Sequence, residues 1–184
     1  VRSYPQKLIG WIALVGSLAA LNYASRFTSG KPPPDTLYKY GTAAGQLVFY
    51  SLTLALVLIV ARGLGRCELG LRAPASWPRA LGLTLAVFVA LVVAERLLEL
   101  LLHGAREQGL EPSHWEPSKA APFALNAAVI VLVAPFVEEL TFRGVGFRLL
   151  APFSNLVAVL GTAVAFAAAH GLVTGFAALF LFGV

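Results

Sequence analysis

Long apolar runs alternate with short polar stretches along the whole chain. The pattern predicts six helices. The first covers 8–24, behind Arg2 and Lys7. A polar loop over 25–39 follows, with Gly30 and the consecutive prolines Pro32, Pro33 and Pro34, which no helix runs through. The second helix covers 40–61. A basic loop over 62–79 carries Gly63, Gly65, Gly70, Pro74 and Pro78. The third starts near Ala80, is apolar to Ala94 and then turns amphipathic, with Glu95, Arg96, Glu99 and His103 among leucines. The connection 103–121 is acidic, with Glu107, Glu111 and Glu116. The fourth helix begins near Pro122 and carries Pro135, which is expected to kink it. The fifth covers 155–172. The sixth starts after Gly175 and runs to Val184.

A membrane-spanning helix needs about 20 mostly apolar residues. Five or six such segments with short loops account for all 184 residues. The chain is 58% hydrophobic and 12% charged, with a mean hydropathy of +0.78. These values exclude an ordinary soluble domain and predict an all-α polytopic transmembrane helical bundle. The first run is long for a signal-peptide core, and Leu21-Asn22-Tyr23-Ala24 is a poor cleavage site, so it reads as an anchor.

The net charge of +5 comes from Lys and Arg between apolar segments, where they set topology. It gives no sign of a nucleic-acid partner; membrane lipid is the expected surrounding. With alternating helices, Arg2, Lys7, Arg62, Arg66, Arg72, Arg79, Arg143 and Arg148 fall on one side. Arg26, Lys31, Lys39, Arg106 and Lys119 fall on the other. Eight against five favours a cytoplasmic N-terminus. Cys67 is the lone cysteine, so no intrachain disulfide forms. The chain has no methionine and ends inside an apolar run, as a portion of a longer protein would.

The chemistry concentrates in Glu138-Glu139-Leu140-Thr141-Phe142-Arg143, directly after the run 123–137, whose only polar side chain is Asn126. Ionisable groups at membrane depth are costly and normally face a protein interior or a wet cavity. Residues four apart on a helix share a face, so Glu139 pairs with Arg143 and Glu138 points elsewhere. A neighbouring cation keeps Glu139 ionised and weakly basic, which leaves Glu138 as the candidate general base. Phe166 and His170 share another helical face. With the turn between the fourth and fifth helices near Ser154, Glu138 and His170 are each sixteen residues from its tip. An antiparallel hairpin then sets them level, roughly 24 Å from the tip at 1.5 Å per residue. A facing glutamate and histidine activate a water or ligate zinc.

Glu-Glu-x-x-x-Arg followed by Phe-x-x-x-His resembles the CAAX protease and bacteriocin-processing (CPBP, or Abi) family of intramembrane endopeptidases, which includes the type II CAAX prenyl protease. The resemblance covers roughly 71–184, including Ala134-Pro135 before the motif. It divides the chain into N-terminal helices with a basic loop, 1–70, and a catalytic membrane domain, 71–184, that is incomplete at its C-terminal end. The resemblance implies that Glu138 activates the attacking water and His170 assists. It makes Glu139 and Arg143 a structural pair and has Phe166 pack the site. The family's later His-x-x-x-Asn (or Asp) motif has no counterpart before Val184.

The expected function is therefore hydrolysis of a peptide bond in a membrane-embedded or membrane-proximal, in some cases prenylated, substrate. The expected location is a prokaryotic cell membrane. No cofactor is favoured; zinc, if used, would take Glu138 and His170, short of the usual three protein ligands. A non-catalytic interaction or immunity protein and a proton- or ion-coupled transporter are the alternatives. Plainer expectations attach to other residues. Glu95, Glu99 and His103 form the stripe of a helix leaving the bilayer along its surface. His114 and Trp115 are interfacial. Gly144 and Gly146 permit close helix packing.

Overall fold

The computed structural model describes residues 3–29, 33, 35–102 and 114–184; at 95 and 98–102 only the backbone is described. The described secondary structure is helical throughout. Its α-helices are α1 (Tyr4–Ser29), α2 (Tyr40–Val60), α3 (Trp77–Leu102), α4 (Ala120–Ala128), α5 (Ala134–Glu139), α6 (Phe147–Leu150), α7 (Asn155–Ala169) and α8 (Phe176–Gly183). Two π-helical segments, Val129–Val133 and Leu140–Gly146, join α4, α5 and α6 into one span. Four spans are long and apolar enough to cross a membrane: Tyr4–Ser29, Tyr40–Val60, Trp77–Ala94 and Pro117–Leu150.

The expected second helix agrees with α2 to within a residue. The expected polar loop after the first helix begins too early, because α1 continues to Ser29. Nothing before Gly30 breaks a helix, and Thr28 returns its hydroxyl proton to the Ala24 carbonyl at 2.7 Å. Similarly, α3 starts at Trp77 rather than Ala80, with Pro78 in its first turn, where a missing N–H does no harm. The fifth helix was expected to reach Leu172. It stops at Ala169, and Gly171 adopts φ +64°. The expected prolines Pro32 and Pro34, with Gly30, lie outside the described residues. So do His103, Glu107, Glu111 and the side chains of Glu95 and Glu99.

Pro135 lies in the first turn of α5, directly after a π segment. Its ring excludes the carbonyl four residues back, and the turn before α5 widens into the first π segment. The second π segment carries the Glu-Glu-x-x-x-Arg motif beyond Glu139. A widened turn misaligns backbone groups, which need other partners at membrane depth. Trp11 of α1 supplies one, its indole N–H donating to the Thr141 carbonyl at 2.9 Å. The indole comes so close that a Cβ on Gly146 would lie 2.5 Å from the ring.

The core draws on both ends of the sequence. Trp11, Leu14 and Leu18 of α1 meet Val57 and Val60 of α2, Leu140, Phe142, Val145 and Leu149 of the long span, and Phe166 of α7. By contrast, the described part of the α3 span buries none of its residues. Leu81, Leu83, Leu85 and Phe88 face outward, a surface that suits lipid.

The two ends of the bundle are tied by polar contacts. At one end, buried Asn126 donates to the carbonyls of Leu37, Lys39 and Pro122 at 3.0, 3.0 and 2.9 Å. Tyr38 donates to the His114 carbonyl at 2.8 Å, and Trp115 packs edge-on against Phe123. At the other end, Tyr4 donates to the Leu149 carbonyl at 2.5 Å, and Arg148 reaches Glu68 at 3.0 Å.

Candidate active site

The turn between α6 and α7 folds where the sequence places it. Ser154 caps α7, its hydroxyl accepting from the Val157 N–H at 3.0 Å. The hairpin brings Glu138, at the end of α5, beside His170, the C-terminal cap of α7. Glu138 Oε1 and His170 Nε2 are 3.8 Å apart, and each side chain is 22% exposed.

Helix α7 has 15 residues. At 1.5 Å per residue it spans about 22 Å, short of a hydrocarbon core of about 30 Å. Its last carbonyls therefore end inside the bundle and need donors. Helix α1 provides them. Asn22 donates its amide to the Ala169 carbonyl at 2.6 Å, and Tyr23 its hydroxyl to the Leu172 carbonyl at 3.2 Å. The close approach requires Gly171, where a Cβ would lie 2.7 Å from the Asn22 backbone. The turn that stops α7 thus fixes the position of His170.

The imidazole orientation follows from its neighbours. Nδ1 lies 2.8 Å from the Phe166 carbonyl, which only accepts, so Nδ1 carries a proton. In the neutral ring, Nε2 then presents a lone pair towards Glu138. Two acceptors at 3.8 Å repel unless a donor stands between them. A water donating one proton to each satisfies both. Glu138 is held from its other side by Tyr50 of α2, whose hydroxyl donates to Oε1 at 3.2 Å. Both contacts fall on Oε1.

Aromatic stacking supports the pair. Phe166 packs on His170 with centroids 4.5 Å apart and edge-on against Phe142 at 5.4 Å. The Arg143 guanidinium lies 5.3 Å from the Phe166 centroid. Arg143 binds Glu139 at 3.1 Å and donates to the Phe182 carbonyl of α8 at 2.5 Å. Glu139 is 63% exposed, whereas Glu138 lies inside. The adjacent carboxylates therefore have different surroundings: an outward ion pair that anchors α8, and an inward group with a phenol and an imidazole.

The residues sequence reasoning singled out, Glu138, Glu139, Arg143, Phe166 and His170, form one connected group. Tyr50, Asn22, Tyr23 and Gly171 were missed. For Tyr50 a signal was present: Gln46, Tyr50 and Thr53 follow helical spacing in an otherwise apolar span and share one face. All three line a cavity of ≈ 640 Å³ that also reaches Glu138 and His170.

Zinc in proteins typically takes three or four protein ligands. Glu138 and His170 supply two ligands, and Tyr50 brings a protonated phenol. Among the described residues no group of three or more His, Cys, Asp and Glu side chains converges on one point.

Fold and site together define a helical membrane protein with a carboxylate–imidazole pair lining a half-open cavity. Residues 120–184 match the family model of the Rce1-like type II CAAX prenyl endopeptidases, so this segment is similar to that family. The match contains Glu138, Glu139, Arg143, Phe166 and His170. No curated protein and no solved structure matches the chain.

Proposed function

We propose that this protein is an intramembrane endopeptidase in which Glu138 activates the attacking water. The observation that carries this reading is the 3.8 Å approach of Glu138 Oε1 to His170 Nε2 inside a cavity, with Tyr50 holding the carboxylate. A water between them donates one hydrogen bond to Glu138 and one to His170. Its remaining lone pair faces the cavity, where a substrate carbonyl carbon lies in reach. As the new C–O bond forms, the water proton passes to Glu138. When the C–N bond breaks, Glu138 returns that proton to the leaving nitrogen. The products are a carboxylic acid and an amine, between which the remaining proton redistributes in water to give carboxylate and ammonium, and the enzyme is unchanged. The substrate class is a membrane-embedded or membrane-proximal peptide, with an S-prenylated cysteine peptide as the first probe that the family suggests.

Glu138→Gln keeps the shape of the side chain but accepts no proton. Cleavage of a dye-labelled S-farnesylated peptide is expected to fall by about 10²–10⁴-fold with an unchanged melting temperature. Undiminished cleavage would remove Glu138 from the reaction. Elemental analysis runs alongside. About one zinc per chain, lost with activity in His170→Ala, would replace this mechanism by a metal-assisted one.

A further inference from the structure

Several of the polar side chains lining the cavity bond to the protein's own backbone. Thr53 donates to the Phe49 carbonyl at 2.9 Å, Thr141 to Val137 at 2.6 Å and Asn22 to Ala169 at 2.6 Å. Gln46 differs. Its Oε1 is buried and has no hydrogen-bond partner among the described residues, and the side chain lines the cavity. Leaving such an oxygen without a donor costs about 1–3 kcal/mol. In the resting protein a water can meet it. An occupant that displaces that water without offering a donor loses affinity.

Spacing indicates which donor. Gln46 lies one helical turn before Tyr50, about 6 Å along the α2 axis. In an extended peptide, groups facing the same side repeat about every 6.6 Å. A peptide lying along α2 with one carbonyl at Glu138 therefore brings a backbone N–H to Gln46. We infer that Gln46 is a substrate-binding residue whose Oε1 accepts a backbone N–H two residues from the scissile bond. The inference rests on the peptide substrate proposed above and adds that the substrate is bound extended, through its main chain.

The test measures binding, so it does not depend on turnover. A dye-labelled S-farnesylated peptide is titrated into the full chain carrying Glu138→Gln. It is compared with analogues in which single backbone amides are replaced by esters, which lack the N–H. The ester two residues from the scissile bond is expected to bind about tenfold more weakly, and esters elsewhere less so. Gln46→Leu is expected to weaken the all-amide peptide by a similar factor and to erase the penalty of that one ester. Its melting temperature should hold or rise, because an unpaired buried oxygen is removed. Equal weakening of every ester analogue by Gln46→Leu overturns the inference, as does unchanged affinity or the lack of saturable binding. The ester series on the chain retaining Gln46 decides the matter even where the leucine variant fails to fold. Saturable binding that depends on Gln46, without cleavage by the chain retaining Glu138, overturns the hydrolase and leaves the peptide site.

Discussion

Adjacent glutamates in one motif acquire different surroundings because a helix turns by about 100° per residue. Glu139 faces outward to Arg143, while Glu138 faces a phenol and an imidazole. The outward pair is weaker than burial would make it, since an exposed ion pair contributes about 0–1 kcal/mol. Tyr50 is the residue that most directly orients Glu138. Tyr50→Phe removes one hydroxyl and keeps the ring. The expected result is a fall of about tenfold in kcat with KM nearly unchanged and the melting temperature within a degree or two. Steady-state kinetics of peptide cleavage check this, and an unaltered kcat would show that the hydroxyl does not serve the reaction.

Short helices and irregular turns are where this bundle does its positioning. The end of α7 is held by Asn22 and Tyr23, and Gly171 lets α1 come close enough to hold it. In Gly171→Ala the left-handed backbone costs about 1–2 kcal/mol, and the added Cβ also collides with Asn22. Thermal unfolding should fall accordingly, and activity should fall further than stability, because His170 is the neighbouring residue. Retained activity with a lowered melting temperature would separate the cap from the site. Asn126 plays the corresponding part at the far end, tying the 37–39 turn to α4. Asn126→Leu leaves three carbonyls without this donor and is expected to destabilise the protein by about 1–3 kcal/mol without changing KM. Denaturant titration and peptide kinetics measure the two effects separately.

Across the bundle, the core joins α1 and α2 to the long span and α7, while α3 stays outside it. Arg143 is half-buried and engaged by Glu139 and the Phe182 carbonyl, so it is not a free loop charge of the kind that sets orientation. Without it, the sequence count becomes seven against five. The α2–α3 loop is held by Glu68, which accepts from the Gly65 N–H at 2.8 Å and from Arg148 at 3.0 Å. These contacts, the backbone one foremost, hold its carboxyl below the ordinary 4.5. The folded-state pKa is thus the lower one. The loop contact is at full strength above the unfolded value and is lost as pH falls through the folded value. Cys67 is exposed in the same loop and accepts a nitroxide label. The label should be immobile at neutral pH and gain mobility as pH drops below 4.5, and Glu68→Gln should abolish that pH dependence. A spectrum that is independent of pH would show that the contact does not restrain the loop.

The amino-acid sequence fixes the membrane class, since apolar runs of this length have no other stable placement. It also sets the second helix, the Ser154 turn and the level of Glu138 with His170. Those features depend on composition, spacing and a single turn, all local to the chain. It does not reveal the π segments, which arise where Pro135 and the packing of Trp11 on Gly146 reshape one long helix. Nor does it reveal that Asn22, Tyr23 and Tyr50 reach the region of His170 and Glu138. Their partners lie between 88 and 149 positions away in the chain. Contacts at that separation exist only once the helices pack, because a polar side chain in an apolar run carries no mark of which distant carbonyl or carboxylate it will meet.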